Sequence, residues 1–484
     1  MKATSIFGGV QIFNIIIQLI KSKVVAVLLG PAGMGILGLL QTTTSLITSI
    51  TNFGLGTSAV RDVSEANNTA DSKKISTTIT VLRKLVWLTG LLGMILTTAL
   101  SPLLSRLTFG NYDYTIGFVV LSVSLLFNQL SSGQGVLLQG MRKISWLAKA
   151  QIYGSFFGLI ISLPLYYLYG TEGIVPALVL SALALLAVQY YFAQKVQIEV
   201  IAISFRDAIN RGMGMMKLGF MMSLSGLITV AASYFVRIYI SNTGGVSDVG
   251  LYSAGFSIIS TYVGLVFSAM ATDYYPRLAA ISANNEESRI VVNQQAEIAI
   301  LILAPIILIF LVFIKWVVVL LYSQEFAAVN DMILYAAIGM FFKAASWAVA
   351  FLFLAKGESK LFFWNELVTN IYMTLLNIIG YKFWGLTGLG ISFLLTYMLY
   401  FVQVLAITTR KYEFSFLKDF IRIFSINLML GILCMMSIKL LESPYSHICG
   451  VILILVSSFY SIKELDDRLH LRDIARTFQG KFKK

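Results

Sequence analysis

Six cationic side chains lie within stretches apolar enough to be membrane helices: Lys21, Lys23, Arg237, Lys315, Lys343 and Arg422. An ammonium or guanidinium near the bilayer centre costs at least ~2.5–3.5 kcal/mol on insertion scales unless it faces protein or water. Held in a cavity, the same groups are charge-assisted donors suited to a phosphate or diphosphate. The competing reading is a long side chain that reaches the interface from inside its helix. Arg422 lies near a helix end and fits that reading. Lys315 in "FLVFIKWVVVLLY" neighbours Trp316 and Tyr322, residue types of an interfacial belt. Arg237 in "ASYFVRIYI" has no acid within helical reach. Lys343 in "GMFFKAASWAVA" is the deepest of the set. Lys21 and Lys23 are two residues apart and point to different faces, so that one lines a cavity while the other reaches the interface.

Carboxylates in the same stretches are scarce. Glu366 and Glu297 are the two candidates for proton or sodium coupling, with pairing to a nearby lysine as the plainer role. The first six expected spans contain no mid-membrane Asp or Glu, so their interior field is positive. Gln11, Asn14 and Gln18 recur at three- and four-residue spacing on one helix face and offer hydrogen bonds to a polar ligand. Gln41, Thr42, Thr43, Thr44, Asn52, Asn128, Gln129, Gln134, Asn365, Asn370 and Asn377 either share that role or join helices to one another.

The elements that must carry these side chains are membrane helices. With 57% apolar and 12% charged residues over 484 positions, the chain is an all-α polytopic membrane protein. Counting stretches of about 20 residues, enough to cross ~30 Å of hydrocarbon, yields fourteen expected spans. They lie at 5–28, 34–60, 81–107, 114–139, 144–169, 171–195, 215–241, 247–272, 289–321, 329–355, 358–382, 385–409, 418–441 and 445–462. The first lacks a small-residue cleavage pattern and is read as a span rather than a removable leader.

Charge supports this count. With the N-terminus in the cytoplasm, 27 of the 36 Lys and Arg residues fall inside and 3 outside, which also leaves the C-terminus cytoplasmic. The net charge of +13 is therefore chiefly topological, and its spread among loops speaks against a nucleic-acid partner. Cys434 and Cys449 lie in apolar runs and read as core residues. His447 and His470 form no metal cluster, and neither a metal nor a cofactor is expected. No GxxxxGK[ST] stretch is present for an ATP-driven pump. Outer connections of at most about ten residues are short for a polymerase or ligase, so no enzymatic role is expected.

Weak self-similarity organises the chain. "GPAGMGILGLLQTTTSL" at 30–46 resembles "GGVSDVGLYSAGFSIIS" at 244–260, and an offset of 215 residues superposes Gly35 on Gly250 and Ser22 on Arg237. Copies separated by an even number of helices keep the same orientation and relate by an axis along the membrane normal. The expected organisation is a six-helix lobe at 1–200, a second at 205–412, two added helices at 413–462 and a basic cytoplasmic tail at 463–484. The tail can form an amphipathic helix on the inner surface.

The stretches "LLGPAGMGILGLLQT", "LLQGMRKISWLAKAQIYG" and "MMKLGFMMSLSGLITVAASYFVRIYISNTGGVSDVGLYSAGFSI" resemble the Wzx-type polysaccharide (O-antigen) flippases. These belong to the multidrug/oligosaccharidyl-lipid/polysaccharide exporter superfamily. The resemblance implies a two-lobed, V-shaped bundle in the bacterial cytoplasmic membrane. Its implied cargo is an undecaprenyl-diphosphate-linked oligosaccharide, passed from the cytoplasmic to the outer leaflet by alternating access. It also implies contact with the bilayer and with polysaccharide polymerase or other assembly proteins. Many such sequences carry an Asp-Arg pair in the seventh helix, and the matching positions here are Val236 and Arg237. The missing acid leaves the arginine available to an anion. Lys21, Lys23, Arg237 and Lys343 are then expected at the diphosphate, with Gln11, Asn14 and Gln18 at the glycan. The alternatives are an ion-coupled multidrug or small-molecule exporter of the same superfamily and a non-transporting envelope scaffold.

Overall fold

The computed structural model describes residues 2–69, 71–199 and 201–469; the side chains of 2–12, 261–263, 265, 268, 269, 272 and 469 fall outside that description. Every regular element among the described residues is helical. Two of the longest helices are each a pair. α1 (Lys2–Thr51) breaks at Gly30, where φ is 62° and ψ −168°, just before Pro31. A left-handed φ is cheap only for glycine, and the proline ring withholds the N–H that the next turn would use. α13 (Ser359–Tyr412) breaks in the same way at Gly385, with φ 55° and ψ −138°.

Among the described residues, ten helical stretches are long and apolar enough to cross a membrane. Three of them, Phe13–Thr51, Ile144–Ala193 and Ser359–Tyr412, contain a sharp turn and, at 1.5 Å per residue, suffice for two crossings of ~30 Å each. α9 (Val246–Ser257) and α10 (Leu265–Ala280), joined by a π-helical turn, supply one more and bring the total to fourteen.

The boundaries depart from the sequence expectation mainly near the second and third spans. The second ends at Thr51 rather than residue 60, because Phe53 (φ 48°) and Gly54 (φ 62°) turn left-handed. The chain continues as the amphipathic α2 (Leu55–Asn68), which buries Leu55, Ala59, Val63 and Ala66 at helical spacing. α3 (Ser72–Ala99) starts nine residues before the expected 81, with the Asp71 carboxylate accepting from the Lys73 and Lys74 amides at 2.9 and 3.3 Å. α4 (Ser101–Phe109), α5 (Thr115–Gly140), α6 (Ile144–Tyr169) and α7 (Ile174–Ala193) follow, then α8 (Phe205–Gly244).

The chain divides into two compact units, residues 1–251 with 321–325, and residues 252–320 with 326–484. In the first unit Leu82, Leu85, Leu137 and Leu147 form a buried core beneath α2. Packing thus groups α8 with residues 1–251, whereas the repeat divides the chain in the 196–214 connector. Inside this unit the two copies of the repeat meet. A Cβ on Gly35 would stand 1.9 Å from the Val246 carbonyl oxygen, and one on Gly250 would stand 1.8 Å from that of Pro31. The offset of 215 turns Gly35 into Gly250 and Pro31 into Val246. The two close approaches are therefore one contact seen from both sides, as a pseudo-two-fold relation requires.

The second unit begins within α9, at residue 252, and includes α10, α11 (Asn285–Leu321) up to residue 320, α12 (Asn330–Ala355), α13, α14 (Lys418–Leu440) and α15 (Tyr445–Leu469). α12 is its centre: Ile333, Ala337, Phe341, Ala344, Val349 and Phe353 are all buried, while the stripe of Lys343, Trp347 and Phe351 faces a cavity.

Candidate functional site

In the first unit, the cations on α1 and α8 lie at similar depth below the crossing of the two repeats. Lys23 is eight residues before Pro31 and Arg237 nine before Val246, or ~12 and ~14 Å along their helices. Lys21 and Lys23 are both half-buried and differ in what they meet. The Lys23 ammonium donates to the Tyr322 carbonyl at 2.5 Å, which ties α1 to the chain just beyond α11. Lys21 makes no hydrogen bond or ion pair with any described residue. This division follows from the ~200° that separates two positions apart on a helix. Arg237 folds back along α8 to donate to the Ser233 hydroxyl and carbonyl. One turn away, Tyr234 joins a buried hydroxyl chain: its OH lies 3.0 Å from Thr108 Oγ1, which is 3.5 Å from Thr43 Oγ1. That chain fixes α8 against α4 and the second half of α1.

The same unit holds a polar chamber with no charged wall. Two cavities of about 320 and 300 Å3 share Thr44, Ser45 and Asn128, with Gln41 and Ser124 lining the first and Thr48 and Ser49 the second. The Gln41 and Asn128 side chains are exposed to this space and engage no described residue. Asn14 is partly spoken for, since its Oδ1 accepts from Ser155 of α6 at 2.9 Å, and Gln18 is exposed. The Gln11 side chain lies outside the described residues.

The second unit brings Lys343 and Glu366 into one cavity of about 290 Å3, walled by Trp347, Phe351, Tyr397 and Tyr400. No ion pair links the two charges. The Lys343 ammonium sits 5.0 Å from the Tyr397 ring centroid and 5.7 Å from that of Phe393. Glu366 Oε1 accepts from the Tyr400 hydroxyl at 3.0 Å and from Asn365 Nδ2 at 3.4 Å, while Asn365 Oδ1 accepts from Gln403 Nε2 at 2.8 Å. A carboxylate held by a phenol in an aromatic-walled cavity can take up and release a proton or a small cation. Tyr397, Tyr400 and Gln403 are the residues of this candidate site that sequence reasoning missed. Their three-residue spacing in "YMLYFVQ" marks a polar stripe on one face of α13, the one signal available for them.

Glu297 stands in a separate cluster. It accepts from Arg468 Nε at 2.7 Å, Arg468 also donates to Glu464 at 2.6 Å, and Arg422 reaches Glu464 at 3.2 Å. Its partner is an arginine 171 residues away in the chain rather than the lysine expected from the sequence. Asn370 and Asn377 are buried and donate to the carbonyls of Glu366 and Met373 at 2.9 and 2.8 Å, so their amide groups serve helix and packing.

Comparison with known proteins places this geometry. The polysaccharide biosynthesis protein family matches residues 24–331, well over half of the chain. The chain belongs to that family. Among curated relatives of this family member, the lipid III flippase of Escherichia coli K12 is 23% identical over 402 residues, 79% of this chain and 92% of that one. A Shigella flexneri relative, named as a candidate O-antigen transporter, is 25% identical over 375 residues, 75% of this chain and 87% of that one. Among solved structures the lipid II flippase MurJ, in an inward closed conformation, superposes with a TM-score of 0.73 over 96% of this chain and 99% of that one at 13% identity. An inward-facing multidrug transporter of the MATE family and MOP superfamily gives 0.70 over 83% and 94% at 15% identity. The family member therefore has the two-lobed MOP transporter fold.

Proposed function

We propose that this protein moves a lipid-diphosphate-linked oligosaccharide, an O-antigen or related surface-polysaccharide unit, from the inner to the outer leaflet of the bacterial cytoplasmic membrane. The observation that carries the reading is the presence of Lys21, Lys23 and Arg237 at a similar depth in the first unit, which also holds a chamber lined by hydroxyls and carboxamides together with Leu121, Leu125 and Leu178. A diphosphate needs the first, a glycan the second, and the lipid tail can stay in the bilayer. The names of the curated relatives support the same class of cargo and a transporter rather than an enzyme. Lys343 belongs to this reading as a cation of the second unit. The lobes at 1–200 and 205–412, with 413–462 and 463–484 appended, are its moving and accessory parts, and both termini lie in the cytoplasm.

The test is complementation of a flippase-deficient strain, with surface glycan measured against protein abundance. We expect Lys21→Ala, Lys23→Ala, Arg237→Ala and Lys343→Ala combined to abolish surface glycan at normal abundance; wild-type glycan from that variant rejects the mechanism. Topology is tested with a membrane-impermeant thiol reagent on intact cells, which is expected to modify Asn111→Cys and spare Ser72→Cys.

One observation favours a second reading. Glu366 in its aromatic-walled cavity suits an ion-coupled exporter of small organic cations. Glycan restoration without resistance to such compounds separates the two.

A further inference from the structure

The first unit contains a third recess, of about 800 Å3, that neither polar site uses. It lies where α3 begins, where α5 and α7 end, and where the connector at 194–199 passes them. This is the end that the charge distribution assigns to the cytoplasm. Trp87 and Tyr190 stand on its walls, 47% and 50% exposed, at the depth where aromatic residues mark a membrane interface.

The polar lining is planar and nearly neutral. Gln194 and Gln197 are exposed, and their side chains engage no described residue. Gln134 is part of the lining, and its buried Oε1 accepts no hydrogen bond from a described residue. Arg83 and Glu199 contribute one charge of each sign, and neither forms an ion pair or hydrogen bond with a described residue. The neighbouring lysines are committed elsewhere. Lys84 donates to the Ile203 carbonyl and sits 4.5 Å over the Phe205 ring, and Lys195 lies 4.4 Å over that of Tyr191. A site for phosphate would gather cations, and this one does not.

Carboxamide, carboxylate and guanidinium groups each present paired donors or acceptors in a plane, the arrangement that matches two neighbouring hydroxyls of a sugar ring. An aromatic face with its negative quadrupole receives the polarised C–H bonds of the ring's other side. The volume falls within the ~300–1,000 Å3 of ordinary ligand sites. We propose that this recess is a second glycan site, which holds the uncharged oligosaccharide of a lipid-linked substrate at the inner membrane surface, apart from the cationic group of α1 and α8. The proposal rests on the flippase reading and adds to it a place where the glycan is held before translocation.

The experiment replaces Tyr190 with p-azidophenylalanine in the full-length protein, expressed in a strain whose lipid-linked glycan carries a metabolic radiolabelled sugar. Irradiation is expected to give a labelled protein adduct that disappears when glycan-lipid synthesis is blocked. Adding Gln194→Ala and Gln197→Ala should lower it at least about fivefold, the scale of one or two lost hydrogen bonds. Tyr167, 76% exposed at the other end of α6, is the control position and should stay unlabelled. No adduct at position 190, equal labelling at 167, or an adduct of phospholipid alone each overturns the assignment. Surface glycan is scored in the same cells. A chain that restores glycan without labelling position 190 loses only this site, whereas a chain that restores none loses the flippase reading as well.

Discussion

The two units differ in how they treat several of their polar groups. In the first, Lys21, Gln41 and Asn128 engage no described residue, and Gln41 and Asn128 line open cavities with Thr44, Ser45 and Ser124. In the second, Asn293, Asn377 and Asn427 each donate to the carbonyl four residues earlier at 2.8–2.9 Å, and Glu297 is closed by Arg468; Asn370 donates in the same way at 2.9 Å, but its buried Oδ1 meets no described donor. Buried polar groups are costly unless bonded, so satisfied ones read as scaffold and open ones as prepared for a guest. The exception in the second unit is the Lys343 and Glu366 cavity, where charges of both signs share space without pairing. Under the proposed function, the anion and glycan belong to the first unit and any coupling ion to the second.

The largest effect should come from the cations. Arg237→Ala and Lys21→Ala are each expected to lower surface glycan about tenfold or more at unchanged protein abundance, the equivalent of ~1.4 kcal/mol of lost binding or more. Arg237→Lys and Lys21→Arg should retain part of the activity, because charge survives while geometry does not. Lys23→Ala should act partly through stability, since its ammonium also holds the Tyr322 carbonyl. A full effect from Lys343→Ala with none from Lys21 and Arg237 would reverse the assignment of units.

Next comes the crossing of the repeats. Gly35→Ala and Gly250→Ala each place a methyl group inside the van der Waals radius of a carbonyl oxygen, 1.9 and 1.8 Å away. Both should destabilise the protein by ~1–3 kcal/mol, as overpacking does, and by similar amounts because the two contacts are one under the pseudo-symmetry. Thermal unfolding in detergent reads both; a large loss for one and none for the other breaks the equivalence.

The acids of the second unit should separate. Glu297→Gln removes the partner of a half-buried arginine and should cost ~1.5–3 kcal/mol of stability without changing how transport responds to imposed pH or sodium gradients. Glu366→Gln should leave stability nearly intact and flatten that response. Normal gradient dependence in Glu366→Gln excludes it as a coupling site.

Much of this was legible in the sequence, for reasons that differ by level. The bilayer imposes a length of about 20 residues on every span, so the number of helices and most of their ends were readable from hydropathy. α12, expected at 329–355, runs Asn330–Ala355. The misplaced ends sit where local backbone geometry decides, as at Phe53 and Gly54, or where an amphipathic interfacial helix such as α2 extends an apolar run. Intramembrane charges were visible because they break a simple rule. Their partners were not: the bonds of Lys23 to Tyr322 and Glu297 to Arg468 span 299 and 171 residues and exist only through tertiary packing. The polar residues were the least readable, since Asn128 and Asn377 look alike in sequence and differ in whether a carbonyl lies within reach.

That last pair supplies the smallest prediction. Asn128 is exposed to the first unit's chamber and engages no described residue, whereas Asn377 is buried and bonded to Met373. If the chamber binds a glycan, Asn128→Leu removes a hydrogen bond that forms only with cargo, worth ~0.5–1.5 kcal/mol, and surface glycan should fall about two- to tenfold. Asn377→Leu removes a side-chain bond to a carbonyl that the helix itself already uses. A leucine of similar shape should be tolerated there within about 0.5 kcal/mol and without loss of glycan. The variants are read together, surface glycan against abundance and thermal unfolding for each. Equal glycan levels from both would mean that open polar groups in the first unit are scaffold after all. A loss from Asn377→Leu at normal stability would move the glycan into the second unit.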